Sequence, residues 1–347
     1  MLFQAIDDKS ECIGVYTDGK LHFEDFPDDL TRTWRYTGSI IDDAVEYGWI
    51  YALGSELKHV CPQDYAEELA LTERKLRAYI KTFKIAKVNL NDHCIFDLVP
   101  HDFLKRFCEV KNRITEHVLE TRPKPSNYQH LCDVEKLLYK IRYKKLNLNT
   151  SECRHLMLST LERHKAQELA KNFKYIDYNL FGTITGRLTT NPGSFPVLTL
   201  KKEFRKLLKP NNDLFVALDY NGAEVRTFLE LAGHEQPDYD IHDWNVRNVF
   251  ANTLTRDEAK VEFFGWLYNS REDAVLSEIY DKDSVLDKWY NGDYIITPYN
   301  RQIEVDDFKA LNYIIQSTTA DRVLSKAVII DKMLEDRKSY ISHILHD

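Results

Sequence analysis

A short apolar run followed by a turn and a helix is the sequence feature that most restricts the fold. Residues 214–218, LFVAL, are too few for a helix and suit a buried strand. The run ends at Asp219 and Tyr220, turns through Asn221-Gly222, and continues as a helical pattern that stops at Gly233. We therefore expect a strand–turn–helix unit in an α/β fold, with the Asp219 carboxylate held at the end of the strand.

A carboxylate in that position suits a hard metal ion, because Mg²⁺ prefers oxygen ligands and substrate phosphates. Taken alone, however, an aspartate after a strand is more often a turn residue. A second carboxylate, Asp347, follows the apolar residues Ile344 and Leu345 and the polar His346. If residues 340–345 form a strand, that strand would deliver Asp347 to the same metal site.

Residues 255–269 and about 306–336 read as helices, and the first of them has an unusual face. At 100° per residue, Arg256, Lys260, Phe264 and Tyr268 fall at about 0°, 40°, 80° and 120° around the axis. Surface helices normally bury their aromatic residues and turn their cations away. A face that mixes the two fits an anionic, flat ligand such as a nucleoside triphosphate on a base pair. The alternative is basic side chains that extend around an ordinary apolar stripe.

The charge of the chain is unevenly distributed. The formal net charge is −8, yet residues 101–210 contain 22 Lys and Arg against 11 Asp and Glu. These residues also show helical periodicity as far as about 178, interrupted by Pro123 and Pro125. The pattern indicates either a surface that binds polyphosphate or an ordinary solvated helical face. The six cysteines include no C-x-x-C pair, which favours reduced thiols.

Taken in order, these segments resemble motifs A, B and C of family A, the DNA polymerase I type of DNA polymerases. Residues 185–190, TGRLTT, are similar to the family's T-G-R-L-S-S loop, and residues 316–321, QSTTAD, to its Q-G-T-A-A-D helix. Smaller similarities lie at 240–242, DIH, and at 297–301, TPYNR. The resemblance covers residues 180–347, about half of the chain.

The resemblance implies a set of site residues for template-directed extension of a primer with dNTPs. Two Mg²⁺ ions would be held by Asp219, Asp347 and the Tyr220 carbonyl. The catalytic residues would be Asp219, Asp347 and Lys260. Of these, Lys260 would also protonate the leaving pyrophosphate. The dNTP-binding residues would be Arg256, Lys260, Phe264, Tyr268, His242 and Glu224. The DNA-binding residues would be Thr185, Arg187, Asn312 and Gln316.

Individual roles also follow from the resemblance. Arg256, Lys260 and His242 would bind the triphosphate, and Phe264 would stack on the incoming base. Glu224, hydrogen-bonded to Tyr268, would exclude the ribose 2′-hydroxyl. The residues at the primer–template would contact the minor groove, which presents similar acceptors for every correct base pair.

The resemblance further implies a right-hand polymerase with an α+β palm. We expect the palm at 183–235 and 300–347, abridged fingers at 236–299, a basic helical thumb at 101–182, and a small N-terminal α/β region at 1–100. The N-terminal region has no recognisable exonuclease motifs, which together with the compact fingers suggests a bacteriophage enzyme. No apolar run approaches the roughly 18–20 residues of a membrane span. We expect a soluble protein of the cytoplasm, that of the host cell if the protein is viral.

Four departures from the family pattern stand out, and one is the short spacing from Tyr268 to Thr297, which predicts abridged fingers. Residues 219–226 read DYNGAEVR where the family has D-Y-S-Q-I-E-L-R, and Asn269 follows Tyr268 where the family has glycine. Motif C stops at Asp347, so we expect a fragment or a split polymerase whose palm is completed by a second polypeptide. Two alternatives remain at this stage: a single-subunit RNA polymerase and a non-catalytic DNA-binding replication factor.

Overall fold

The structure is a computed structural model that describes residues 1–9, 12–40, 44–88, 90, 93–150, 153, 156, 158–268 and 273–345. It is a mixed fold of helices and short strands, in which the helices dominate. Its contacts divide the chain into two compact units, Met1–Tyr139 and Lys140–Asp347. Across the described residues, no helix combines the length and the apolarity that a bilayer crossing demands.

The N-terminal unit begins with a three-stranded antiparallel sheet, β1 (Phe3–Lys9), β2 (Cys12–Thr17) and β3 (Lys20–His22). The turn between β2 and β3 is Asp18-Gly19, and both residues have positive φ, 43° and 74°. Such a two-residue turn needs residues that tolerate the left-handed region, as aspartate and glycine do. A short parallel pair follows, β4 (Arg32–Thr33) and β5 (Glu46–Tyr47).

The described part of this unit also contains α1 (Gly48–Tyr51), α2 (Leu57–Val60), α3 (Gln63–Ile85), α4 (Ile95–Leu98), α5 (His101–Thr121) and most of α6 (Tyr128–Arg142). Helix α5 packs against β1 and α3. Arg122, which follows it, is extended and precedes Pro123, as the residue before a proline prefers. The predicted break between two helices is therefore confirmed. Cys94 is disulfide-bonded, contrary to the expectation from cysteine spacing, whereas Cys61, Cys108, Cys132 and Cys153 are free thiols.

Three short antiparallel strand pairs lie in the described part of the C-terminal unit. They are β6 (Asn147–Leu148) with β9 (Leu208–Lys209), β7 (Tyr178–Asn179) with β8 (Thr189–Thr190), and β10 (Tyr294–Ile296) with β11 (Gln302–Glu304). Its helices are α7 (Thr160–Asn172), α8 (Lys202–Arg205), α9 (Ala223–Ala232), α10 (Ile241–Asn248), α11 (Arg256–Tyr268), α12 (Ala274–Tyr280), α13 (Lys282–Trp289) and α14 (Asp307–Met333). The helices predicted at 223–233, 255–269 and 306–336 are thus confirmed, and α9 ends on Gly233 with φ of 78°.

A cluster of buried aromatic side chains holds α9, α11 and α12 together. Phe228, Phe263, Trp266 and Tyr280 are each at most 1% exposed, and the Phe263 and Tyr280 ring centroids lie 4.9 Å apart. Aromatic pairs at such distances contribute about 0.5–1.5 kcal/mol each beyond the area that they bury. Because the cluster fixes α11 against α9, it also fixes the face of α11 that points away from the core.

The expected buried strand at 214–218 is wrong. Residues 214–220 join no strand pair and are exposed, with Leu214 at 64%, Val216 at 74% and Leu218 at 71%. Apolar composition favours a strand only where partner strands and a covering layer exist, and the described part of the chain supplies no partner strand here. Asp219 is consequently an exposed residue of an irregular segment, not the rigid end of a strand.

Residues 340–345, the other expected strand, are also irregular. They lie beside the first segment, because the Phe215 and His343 rings meet edge to face at 5.8 Å. The Tyr178 hydroxyl anchors them by donating to the Ile344 carbonyl oxygen at 2.7 Å and accepting from the Ile344 amide at 2.9 Å. Two apolar segments are therefore adjacent without forming a sheet with each other.

Candidate functional site

The face of α11 that carries Arg256, Lys260, Phe264 and Tyr268 borders the core of its unit, and its two aromatic side chains pack against that core. Ala259, Phe263, Trp266 and Leu267 form the buried face. Phe264 and Tyr268 are half-buried, and their rings are nearly parallel, with centroids 5.9 Å apart and planes 16° from each other. Lys260 and Arg256 are exposed. The helix therefore presents two cations and a stacked aromatic pair on one accessible surface.

Arg256 is held by the carboxylate at the start of α10. Its Nη2 donates to Asp240 Oδ2 at 2.7 Å and its Nε donates to Asp240 Oδ1 at 3.2 Å. Asp240 also caps α10, since Oδ1 accepts from the backbone amides of His242 and Asp243 at 2.9 and 3.0 Å. The hydrogen bond from Arg256, joined by one from Asn221, holds the pKa of Asp240 well below its ordinary value.

His242 lies beneath the same surface. Its side chain is 2% exposed, and its Nδ1 is buried with no hydrogen-bond partner among the described residues. Its ring contacts Phe264, with centroids 6.1 Å apart. Burial lowers the pKa of His242, and the positive charges of Arg256 and Lys260 lower it further. The structure thus brings His242, expected to bind the triphosphate, together with the cations of α11.

Glu224 connects α9 to α11 and to the loop before β8. Its Oε2 accepts a hydrogen bond from the Tyr268 hydroxyl at 2.9 Å, as expected from the sequence. Its Oε1 pairs with Arg187 Nη2 at 2.7 Å, a contact that the sequence did not predict. Burial and the neighbouring Glu224 raise the pKa of Tyr268, so its hydroxyl stays a protonated donor. Arg187, expected at the DNA minor groove, is therefore engaged by a carboxylate.

The loop that carries Thr185 and Arg187 rests on a buried ion pair. Arg301 donates through Nε and Nη2 to Asp321 at 2.8 and 2.6 Å, and Asp321 is fully buried on α14. Gly186 has φ of 78°, and a Cβ there would come within 2.6 Å of the Arg301 guanidinium. Three stretches similar to the family, 185–190, 297–301 and 316–321, thus meet in one place.

The side chains of Asn312 and Gln316, expected to contact DNA, lie one turn apart on α14 and hydrogen-bond each other. Both are half-buried. Further along the helix, Thr319 donates to Thr227 of α9 at 2.9 Å in the core. The interior contact fixes α14 against α9, so the position of Asn312 and Gln316 relative to the rest of the site is set by packing.

The predicted metal ligands are not brought together within the described residues. Asp219 and Tyr220 are exposed, while His346 and Asp347 lie outside the part of the chain that the structure describes. Among the described residues, no three His, Cys, Asp or Glu side chains are grouped to hold a metal ion. The oxygen donors of Asp219 and Tyr220 suit Mg²⁺ chemically, but the site would need Asp347 to be complete.

A groove at the start of α14 is a separate feature. Its lining includes four carboxylates and the largely exposed Phe308, and none of the predicted site residues. The carboxylates are those of Asp293, Glu304, Asp306 and Asp307. Because they would repel a triphosphate, we do not assign nucleotide binding to this groove.

Sequence reasoning gave no role to three residues that organise the site. Asp240 holds Arg256. Asn221 donates to Asp240 at the start of α10. Arg301, paired with Asp321, supports the 185–187 loop. Asp240 and Arg301 lie in the two short stretches that resemble the family, DIH and TPYNR. An N-cap residue directly before a helical pattern was the signal available for Asp240.

No protein-family profile matches the chain, and no curated protein matches it. Among solved structures, the chain is similar to the POL domain of Pol1 from M. smegmatis in complex with DNA primer-template and dNTP. The similarity has a TM-score of 0.45 and 13% sequence identity, and it covers 74% of this chain and 69% of the other. Similarity at this level does not assign a family.

Proposed function

We propose that this chain is a template-directed DNA polymerase of the DNA polymerase I type, which extends a primer with dNTPs. The observation that carries the proposal is the accessible face of α11, where Arg256, Lys260 and the stacked Phe264–Tyr268 pair meet His242 and Glu224. Cations beside a flat aromatic surface suit a triphosphate attached to a base. The order of the sequence motifs supports the same function.

In this proposal the incoming nucleotide lies along α11 with its phosphates at the N-terminal end. Arg256 and Lys260 bind the phosphate oxygens, and Phe264 stacks on the base. The primer hydroxyl gives up its proton to water and forms a bond to the α-phosphorus, while the bond between that phosphorus and the pyrophosphate oxygen breaks. Lys260 donates a proton to that leaving oxygen, which lowers the charge that accumulates on pyrophosphate.

Sugar selection is assigned to the Glu224–Tyr268 pair. The hydrogen bond ties two bulky side chains together at the aromatic end of the α11 face, where the sugar would lie if the base stacks on Phe264. A ribose 2′-hydroxyl would have to displace this bond, and the ion pair with Arg187 holds Glu224 in place on its other side. The pair therefore favours dNTPs over rNTPs, which speaks against a single-subunit RNA polymerase.

Asp219, the Tyr220 carbonyl and Asp347 are proposed to hold two Mg²⁺ ions. When bound, the ions would neutralise phosphate charge and activate the primer hydroxyl. The chain's own contribution is the pair of carboxylates. Thr185, Arg187, Asn312 and Gln316 would contact the primer–template minor groove, and the basic residues of 101–182 would contact its phosphates.

The exposed segment 214–220 suggests that a further strand-forming polypeptide completes the palm. No backbone hydrogen bond of residues 214–219 is made to the rest of the described chain, and the apolar side chains there are exposed. Pairing with an added strand would supply the backbone hydrogen bonds and cover the apolar side chains, as in β-strand addition. We propose a split enzyme of a bacteriophage, acting in the host cytoplasm, in which this pairing would rigidify Asp219.

Metal-dependent primer extension tests the function. We expect extension with dNTPs and Mg²⁺, by the chain alone or with the complementing polypeptide, and none after Asp219→Ala, while primer–template affinity changes little. Asp213→Ala is the matched control, because Asp213 is an exposed aspartate of the same region. Extension that survives Asp219→Ala would contradict the metal assignment. Preferential use of rNTPs would favour the RNA polymerase, and DNA binding without extension would favour the non-catalytic factor.

A further inference from the structure

The Asp240 carboxylate is hydrogen-bonded by five donors. Its Oδ1 accepts from the amides of His242 and Asp243 and from Arg256 Nε, and its Oδ2 accepts from Arg256 Nη2 and Asn221 Nδ2. Three of these five donors are independent of Arg256. The carboxylate therefore stays fixed at the start of α10, and it serves as a rigid anchor for a flexible arginine.

Asn221 joins this anchor to the start of α9. Its Oδ1 accepts from the Ile241 amide at 3.0 Å, while its Nδ2 donates to Asp240. The next residue, Gly222, has φ of 66°, and a Cβ there would collide with Ile241 Cγ2. Asn221-Gly222 thus allows the two helix starts to approach closely. This is the place where the sequence departs from the family's D-Y-S-Q pattern.

Arg226 strengthens the same junction. Its Nε donates to the Asn221 carbonyl at 2.8 Å, and its Nη1 and Nη2 donate to the Pro237 and Tyr239 carbonyls at 2.9 and 2.7 Å. The backbone that leads into Asp240 is therefore tied to α9 on both sides. An error in the position of Asp240 would be transmitted directly to Arg256.

We propose that Asn221 and Asp240 are positioning residues that orient the Arg256 guanidinium toward the nucleotide triphosphate, an inference that rests on the proposed function. The two hydrogen bonds from Nε and Nη2 fix the plane of the guanidinium. Within the described chain, Nη1 approaches Asp257 at 3.6 Å, and the Asp257 side chain is 93% exposed, so Nη1 can bind a phosphate oxygen. Fixing the arginine in advance removes the ordering cost that a mobile side chain would add on binding.

Substitution of Asp240 shows whether this carboxylate orients Arg256 toward the triphosphate or competes with the triphosphate for Arg256. In Asp240→Asn the side chain still caps α10, but the charge that holds Arg256 is lost. We expect the KM for dNTP to rise about tenfold, as for the loss of one charge-assisted contact, with kcat and primer–template affinity within about threefold. Asn221→Ala should change KM in the same direction by a smaller factor. Asp257→Asn, an exposed acidic neighbour of Arg256, should leave KM unchanged.

A fall in the KM for dNTP, instead of the expected rise, would overturn the inference. If Asp240 merely occupies Arg256 in place of phosphate, Asp240→Asn frees the guanidinium and KM falls. An unchanged KM in both Asp240→Asn and Asn221→Ala would also exclude a positioning role. Thermal unfolding of each variant shows whether a KM change reflects misfolding, and the milder Asn221→Ala keeps the test decisive if Asp240→Asn unfolds.

Direct binding of dATP by calorimetry distinguishes failure of this inference from failure of the proposed function. If Arg256→Ala does not weaken dATP binding, both the proposed nucleotide site and the inference are wrong. If Arg256→Ala weakens binding but Asp240→Asn and Asn221→Ala bind dATP as the wild type does, only the positioning role is wrong. Weakened binding in all three supports the inference.

Discussion

The sequence predicted side-chain contacts between α9 and α11 in part. The Tyr268–Glu224 hydrogen bond was expected from the resemblance and is present at 2.9 Å. Two ion pairs were not predicted. Arg187 pairs with Glu224, 37 positions away in the chain, and Asp240 pairs with Arg256, 16 positions away. Such pairs depend on the mutual placement of helices and loops, and local spacing does not encode that placement.

Removal of the Glu224 side chain tests the assignment of sugar selection. In Glu224→Ala we expect the preference for dNTP over rNTP, measured as the ratio of kcat/KM values, to fall by about tenfold or more, because the 2′-hydroxyl no longer meets the Glu224–Tyr268 pair. Tyr268→Phe removes only the hydrogen bond and should cause a smaller loss. Single-nucleotide incorporation assays give both ratios. A Glu224→Ala enzyme that discriminates as the wild type does would contradict this role.

The protonation of His242 gives the nucleotide site a pH dependence. Burial, Arg256 and Lys260 lower its pKa, partly opposed by Asp240 and Asp243, so the ring is neutral near pH 7 before nucleotide binds. A bound triphosphate adds negative charge and raises that pKa, so binding takes up a proton as the pH falls. The contribution of His242 to affinity should therefore increase toward acidic pH.

The measurement compares wild type with His242→Gln at pH 7.5 and pH 6.0. Protonation of the phosphates themselves affects both proteins equally and cancels in the ratio of their dATP dissociation constants. We expect the ratio of the His242→Gln constant to the wild-type constant to grow by at least about threefold on acidification. A constant ratio would mean that His242 does not sense the triphosphate.

At the level of elements, helices were predictable and the central strand was not. Helices α11 and α14 contain no proline, so each can be read from its own residues, and both lie within a few residues of their predicted bounds. A strand depends on a partner for its hydrogen bonds and on a layer that covers it. The run at 214–218 has the right composition but, within the described residues, no pairing strand.

Charge substitution in this segment distinguishes an exposed run from a buried strand. Val216 is 74% exposed, so Val216→Lys should change the free energy of unfolding by no more than about 0.5 kcal/mol. Val225, fully buried on α9, is the matched control. Val225→Lys should cost more than about 3 kcal/mol, because it buries an unpaired charge. Urea unfolding gives both values, and comparable losses would show that residue 216 is packed.

At the scale of the whole molecule, the sequence does not mark the division into two compact units. The boundary between these units, after Tyr139, falls inside α6. Helix α6 contains no glycine or proline, so no linker signal marks the division. The expected thumb, palm and fingers remain functional predictions that do not coincide with these two units.

The basic middle of the chain predicts a salt-dependent association with DNA. An overall charge of −8 alone would weaken any such binding, but residues 101–210 carry a surplus of 11 positive charges, 22 against 11. Helix α7 belongs to this stretch and exposes Arg163 and Lys171, which lie about 80° apart around its axis. If these side chains contact the phosphates of the primer–template duplex, each contact releases counterions on binding.

Replacement of Arg163 and Lys171 by Gln should therefore reduce the steepness of the salt dependence. The slope of log association constant against log salt should become shallower by roughly 0.9 for each lost contact, up to about 1.8 for the pair. Lys332→Gln, at the exposed C-terminal end of α14 and outside the basic stretch, should leave the slope unchanged. Fluorescence anisotropy with a labelled primer–template at several salt concentrations measures the slopes. Equal slopes for the wild type, the double variant and Lys332→Gln would mean that the duplex binds another surface, because the slope reflects the number of phosphate contacts.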